Sequence, residues 1–176
     1  MKILGAVLAG GQASRFGSDK ALARLHGATL LEHALGALRP WTAAQVVCGR
    51  ASAPVPVVAD LPSPGLGPLG GLCGALAHAD RHGFDAVLTM ACDTPAMPDG
   101  MARALIAAGC AHAAEAPTAG LWPARLAPVL LRHLAEGGDR SIRRWGKVAG
   151  AAIVMPGMAV PGANTPEELR GLAGGD

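Results

Sequence analysis

Hydrophobic positions along the chain fall into short blocks of two kinds. Ile3-Leu4-Gly5-Ala6-Val7-Leu8 is a continuous apolar run that stops at glycines, the pattern of a strand buried on both faces. Gln45-Val46-Val47-Cys48 and Val55 to Ala59 are two more strand candidates, and Phe84 to Ala91, a largely apolar run ending at Cys92-Asp93, is the clearest central strand after the first. His112 to Ala116 and Ala151 to Met155 complete the predicted strands. Helical spacing alternates with these runs. Leu31, Leu35 and Leu38 share one face of a helix from Thr29 to Leu38, which opens on a Thr29/Glu32 capping box and closes at Pro40. Further helices are predicted from about Leu72 to His82, from about Asp99 to Ala108, over Leu126 to Leu134 on the spacing of Leu126, Leu130, Leu131 and Leu134, and from near Ser141. Thr165-Pro166-Glu167-Glu168 is a second capping box with Pro at the first helical position, so a last helix starts there. Asp60 to Gly71 reads as a Pro/Gly loop, and Pro117 to Pro123 takes no assignment.

Strands that alternate with helices predict an α/β fold with a mainly parallel sheet. The 176 residues show no repeat or linker and are read as one domain, 1–176. A hydrophobic fraction of 51% against 16% charged excludes intrinsic disorder. A net charge of +2, no basic block, and 3% aromatics without a tyrosine argue against a nucleic-acid partner. The apolar start after Lys2 breaks off at Arg15, Asp19 and Lys20, and no run approaches the ~20 residues of a membrane span. A soluble, cytoplasmic, monomeric protein is the expectation. Cys48, Cys73, Cys92 and Cys110 form no CxxC pair and sit in apolar contexts, so they are read as reduced core thiols. Trp41, Trp122 and Trp145 are read as packing, the scattered histidines receive no role, and Arg140, Arg143 and Arg144 are read as a solvated helix face.

Candidate chemistry gathers where parallel sheets bind ligands, beyond the carboxyl ends of the strands. Three polar clusters fall there: Gly10 to Lys20, Asp60 to Gly71, and Asp93. In Leu8-Ala9-Gly10-Gly11-Gln12-Ala13-Ser14-Arg15-Phe16-Gly17-Ser18-Asp19-Lys20, the glycines let backbone N–H groups approach an anion, and Arg15 and Lys20 add two cations. The loop matches neither the Walker A nor the dinucleotide glycine pattern. On residues alone, a phosphate loop and a plain glycine-rich turn with solvated cations are equally good accounts. Asp93 reads as a ligand for a hard cation or as a helix N-cap ahead of Pro95.

The run LAGGxxxRxGxDK resembles the opening signature of the nucleotidyltransferases that complete the molybdopterin cofactor, and its Leu8-Ala9-Gly10-Gly11 variant resembles the molybdenum cofactor guanylyltransferase branch. Gly67-Pro68-Leu69-Gly70-Gly71-Leu72, Cys92-Asp93-Thr94-Pro95 and Asn164-Thr165-Pro166-Glu167-Glu168-Leu169 resemble three further family motifs, in the family's order. The resemblance implies a Rossmann-like three-layer fold of the nucleotide-diphospho-sugar transferase type. It implies transfer of GMP from GTP to molybdopterin with Mg2+, releasing pyrophosphate, and transient contact with other molybdenum cofactor proteins. Arg15, Lys20 and Asp93 would be catalytic, with Asp93 the metal ligand. Leu8, Ala9, Gly10, Gly11, Lys20, Asp60, Gly67, Gly70, Gly71 and Asp93 would bind GTP, and Asn164 the acceptor. At Asp60 a carboxylate can take the N1–H and 2-amino edge of guanine or a ribose hydroxyl. Four departures from the family pattern stand out. Phe16 replaces a common Met, Cys48 and Gly49 occupy positions near a usual Asn, Gly162 replaces the first Asn of an NxNTP pair, and the stretch before Leu126 is short. The relatives that use CTP or a sugar phosphate, and a nucleotide-binding protein without catalysis, are the competing readings.

Overall fold

The computed structural model describes residues 1–10, 19–94 and 96–155. In chain order the elements are β1 (Ile3–Leu8), the hairpin β2 (Arg24–Leu25) and β3 (Ala28–Thr29), α1 (Leu30–Leu38), β4 (Ala44–Cys48), β5 (Val57–Val58), α2 (Pro68–Arg81), β6 (Ala86–Ala91), α3 (Asp99–Ala108), β7 (Ala111–Ala113), β8 (Gly120–Pro123), α4 (Ala127–Ala135), α5 (Ile142–Val148) and β9 (Ala152–Val154). Three short 3-10 turns, Lys20–Leu22, Arg39–Trp41 and Ala124–Leu126, complete the described elements.

β1 has no polar side chain and is buried along its whole length. Such a strand is stable only with neighbours on both edges and cover on both faces. It takes parallel partners on each side, β4 and β6, and the seven-stranded sheet runs β5-β4-β1-β6-β8-β7-β9. β8 alone runs against its neighbours β6 and β7. Leu4, Ala6 and Leu8 face a core built with Leu72 and Leu76 of α2 and Leu130 and Leu134 of α4. Ile3 and Val7 face the other core, with Leu31 and Leu35 of α1 and Leu105 of α3. Helices on both sheet faces make three layers, as expected. Leu72 and Leu76 are fully buried, and each such side chain contributes about 1.5–3 kcal/mol.

Register is what positions the site. Leu8 pairs with Cys48 and with Ala91, and Cys48 pairs with Val58. Four adjacent strands therefore end level. The segments that leave them begin at Ala9, Gly49, Ala59 and Cys92, side by side along one edge. Strand order reverses between β1 and β6, so the segments after these two part and leave a crevice.

Several sequence expectations shift. The α1 capping box is present, with Thr29 Oγ1 accepting from the Glu32 amide at 3.1 Å and the Glu32 carboxylate accepting from the Thr29 amide at 2.7 Å. α2 starts at Pro68, not Leu72, because Pro at the first helical position needs no N–H partner and Gly67 takes the positive φ that turns the chain. The second loop therefore ends at Gly67. The Val55–Ala59 strand shrinks to two residues. Pro56 lacks an N–H, although its carbonyl accepts from Val47. Phe84 and Asp85 precede β6, and the strand predicted over His112–Ala116 is Ala111–Ala113. β8 fills the unassigned stretch. Leu131, placed on the apolar face of the fourth helix, is 38% exposed, whereas Leu130 and Leu134 are buried. The Thr165 capping box lies outside the described residues. Among the described residues no helix is long and apolar enough to cross a membrane.

Two glycines separate packing from propensity. A Cβ on Gly74, inside α2, would overlap the carbonyl oxygen of Ala59, whereas a Cβ on Gly36, inside α1, would meet nothing within 4 Å. Gly36→Ala should stabilise the protein by about 0.5–1 kcal/mol through helix propensity. Gly74→Ala should destabilise it by about 1–3 kcal/mol by overpacking against backbone. Urea unfolding of the two variants checks the pair; a stabilised Gly74→Ala would mean that the seam between β5 and α2 is not tight.

Candidate active site

The segments after β1 and β4 meet first. The Ala9 amide donates to the Cys48 carbonyl at 3.0 Å. Beyond it Gly10 lies directly against Gly49: a Cβ on Gly10 would come within 3.0 Å of Gly49 Cα, and one on Gly49 would overlap Gly10 Cα and N. Gly49 also has φ +80°, a conformation open to glycine. This bare ridge separates two clefts, and Gly10 lines both.

The larger cleft holds about 650 Å³ and runs past Arg50, Val58, Asp60, Gly65 and Gly67. Asp60 Oδ1 is buried there and has no hydrogen-bond partner among the described residues. Burial pushes the Asp60 carboxyl above the usual carboxylate range. An unpartnered buried carboxylate oxygen is costly, and a ligand N–H or O–H relieves that cost. Gly70 and Gly71 stand behind it in the first turn of α2. A Cβ on Gly70 would press on Leu66 at 2.9 Å, and one on Gly71 on Cys48 at 3.0 Å. Their lack of a side chain lets α2 seat closely enough to bring Asp60 to the cleft.

The smaller cleft holds about 320 Å³ and is lined by Leu8, Ala9, Lys20, Cys92, Asp93 and Thr118, among others. Lys20 Nζ donates to Asp93 Oδ2 at 3.0 Å, with the two side chains 17% and 31% exposed. Thr94 Oγ1 is 3.4 Å from Asp93 Oδ1. Lys20 opens the 3-10 turn, and Asp19 caps that turn by accepting from the Ala21 amide at 3.2 Å. Ala21 is buried in the core beside α1, which anchors the turn. On the far wall the Thr118 carbonyl accepts from Thr89 Oγ1 at 2.7 Å.

Asp19 and Arg50 are site residues that sequence reasoning missed. Arg50 Nη1 and Nη2 donate to Asp19 Oδ1 and Oδ2 at 2.7 and 2.6 Å. This fork holds the Asp19 carboxyl below its usual range and the guanidinium above its own. A lone arginine two residues past a strand has no spacing signal, and no motif marks it. Of the predicted residues, the structure brings together Leu8, Ala9, Gly10, Lys20 and Asp93 at one cleft and Gly10, Asp60 and Gly67 at the other. Gly11, Arg15 and Asn164 lie outside the described residues. The thiols are chemically quiet, as expected: burial pushes Cys48 up to about 12 and Cys73 and Cys92 up to about 11. Among the described residues no histidine lines either cleft.

A cation beside a carboxylate, a glycine ridge and a second carboxylate pocket, all at the C-terminal edge of a mainly parallel sheet, suit a nucleoside triphosphate. The class they define is that of the nucleotidyltransferases, enzymes of the nucleotide-diphospho-sugar transferase fold. The chain belongs to the MobA-like NTP transferase domain family, whose model matches residues 5–151. It is 36% identical over 183 residues to the molybdenum cofactor guanylyltransferase of Rhodobacter capsulatus, covering 96% of this chain and 94% of that one. It is 35% identical over 139 residues to the enzyme of the same name from Acidiphilium cryptum, covering 73% and 70% of the two chains. Its fold is similar to the crystal structure of molybdopterin-guanine dinucleotide biosynthesis protein A from Archaeoglobus fulgidus, with a TM-score of 0.74 and 22% identity over 97% of this chain and 96% of that one.

The Asp60 carboxyl, raised by burial, gives a stability test. Its folded pKa is raised, so the cost of ionising it is absent below the unfolded pKa of about 3.9, grows as pH rises through the folded value, and stays constant above. Asp60→Asn removes that cost. The variant should melt higher than the parent at pH 7, and the gain should vanish near pH 3. A variant that melts lower at pH 7 would mean that the carboxylate has a partner that stabilises its charge.

Proposed function

We propose that the chain transfers GMP from GTP to molybdopterin, forming the guanine dinucleotide cofactor and releasing pyrophosphate. The observation that carries this reading is the unpartnered oxygen of Asp60 in the larger cleft, one glycine ridge away from the Lys20–Asp93 pair. Guanine presents two donors, N1–H and the 2-amino group, on the edge that a carboxylate can accept together. Adenine and cytosine present one amino group. The base and ribose occupy the 650 Å³ cleft between Asp60 and Gly67, and the triphosphate crosses Gly10 into the cleft of Lys20 and Asp93. The homologues named for guanylyl transfer support the same assignment.

In the reaction an acceptor phosphate oxygen bonds to the α-phosphorus of GTP. The bond from that phosphorus to the pyrophosphate oxygen breaks, and the electron pair leaves with pyrophosphate. The nucleophile is already ionised at neutral pH, so no protein base is needed. What the protein supplies is alignment and neutralisation of charge on the leaving group. Lys20 leaves its carboxylate partner for the phosphates, where an ammonium acts as a mobile point charge. Arg15, Gly11 and Asn164 keep the roles that the family pattern implies.

The chain's donor set fits magnesium. Asp93 is a partly exposed carboxylate facing the phosphate cleft, and no group of three His, Cys, Asp or Glu side chains stands ready for a metal among the described residues. One or two carboxylates plus substrate phosphates and water is the set magnesium favours. Asp93 would hold it once Lys20 has moved to the nucleotide. Bound there, the ion supplies positive charge to the phosphates.

GTP with Mg2+ should raise the melting temperature more than CTP or ATP at equal concentration, because preferential binding to the folded state stabilises it, by about 2.7 kcal/mol at a hundredfold excess over Kd. Equal shifts with all three would overturn the guanine assignment and leave nucleotidyl transfer standing. Asp93→Asn should lower the transfer rate roughly a hundredfold to a thousandfold while the fold survives. Added Mg2+ should recover part of that rate. Near-normal activity of this variant at ordinary Mg2+ would reduce Asp93 to a partner of Lys20.

A further inference from the structure

Arg50 stands outside every motif, yet it ties the two clefts together. It follows the Gly49 contact with Gly10, lines the larger cleft, and is only 14% exposed. Both terminal nitrogens are engaged by the Asp19 carboxylate. Its Nε is buried without a partner among the described residues, a cost that a purely cosmetic surface pair would not sustain. Asp19 caps the 3-10 turn that begins at Lys20, and Lys20 faces the phosphate cleft.

We infer that Arg50 is a positioning residue for nucleotide binding: its fork on Asp19 fixes the turn that presents Lys20 to the phosphates. The inference rests on the nucleotidyltransferase reading above but not on the identity of the base. Two parallel N–H···O bonds set orientation as well as distance, which a single charge contact does not. A pair with one partly exposed member adds little to global stability, so its worth lies in geometry. The competing account makes Arg50 a phosphate ligand held in reserve by Asp19. The two accounts differ in sign. Asp19→Asn keeps a cap for the Ala21 amide and removes a negative charge near a phosphate cleft. If Asp19 only restrains Arg50, polyphosphate binding tightens. If Asp19 and Arg50 together place Lys20, binding weakens.

The probe is inorganic tripolyphosphate, with Kd measured by calorimetry on the full chain. The variants are Asp19→Asn, Arg50→Gln, Arg50→Lys, Lys20→Ala and the Arg50→Gln/Lys20→Ala double, and each is melted as a check on folding. Asp19→Asn and Arg50→Gln should each weaken binding by about threefold or more, and the loss from Lys20→Ala should shrink by a similar factor in the Arg50→Gln background. Arg50→Lys keeps the charge without the fork, so it should melt like the parent and still bind weakly. Tighter binding by Asp19→Asn, an additive Arg50/Lys20 cycle, full affinity in Arg50→Lys, or no tripolyphosphate binding by the parent would each overturn the positioning role. The guanine assignment is judged apart from this, by GTP against CTP on the parent chain, and its failure would leave the tripolyphosphate cycle unaffected.

Discussion

The site depends on a backbone contact that admits no side chain. Gly10 and Gly49 touch at the ends of β1 and β4, just past the hydrogen bond from Ala9 to Cys48. Any residue with a Cβ at position 49 would push the two segments apart and would also be strained at a φ of +80°. The contact does two things at once. It leaves a ridge that bears no side chain at Gly10 and Gly49 between the 650 Å³ and the 320 Å³ clefts. It also turns the chain after β4 so that Arg50 reaches across to Asp19. The absence of an Asn near Cys48 and Gly49 is thereby intelligible for this chain: a polar side chain at 49 is incompatible with the ridge as it is built here, and the polar group supplied by this segment is the guanidinium one residue further on.

Level strand ends convert this local contact into a site. Because Val58, Cys48, Leu8 and Ala91 share one register, the residues after them reach the same edge without long loops. Short connections lower the entropy needed to hold polar groups in place. Gly70 and Gly71 extend the same logic into the layer beneath, since their missing side chains let α2 approach Leu8 and Cys48 and support Asp60 from behind. The core under the site is apolar and close-packed, and the polar groups stand on it as a thin outer layer.

How much of this was legible in the sequence follows from whether the signal was local. β1 and β6 were readable because burial on both faces forces a wholly or largely apolar run, and α1 because Thr29 and Glu32 satisfy each other within one turn. The start of α2 was misplaced because Gly-Pro-Leu-Gly-Gly has the composition of a loop. Only the surrounding packing makes a helix of it. β8 went unseen because a four-residue strand bounded by Gly120 and Pro123 lacks periodicity, although its pairing with β6 completes the sheet. At the site, Lys20 and Asp93 lie 73 residues apart and were each found through a separate motif. Arg50 and Asp19 lie 31 residues apart, and only one of them sits in a motif, where it had no assigned role. Their meaning is wholly in the pairing, which no spacing rule encodes.

Charge placement among the described residues then bears on how the site would meet a substrate as highly charged as a nucleoside triphosphate. Among the described residues Lys20 is paired with Asp93 and Arg50 with Asp19, so each of these cations is held by a carboxylate. The two pairs differ in kind. The Arg50 fork is bidentate and its guanidinium is mostly covered, so it resists rearrangement. The Lys20 ammonium sits on a flexible stem, and in the proposed function its contact with Asp93 is exchanged for a phosphate oxygen. On the proposed function Asp93 would then be an open carboxylate beside the same phosphates, able to hold a hard cation. A rigid pair on the turn and a labile pair beside it would divide positioning from response, and Asp60 Oδ1, buried and without a hydrogen-bond partner among the described residues, would be left to the base or the ribose in the proposed function.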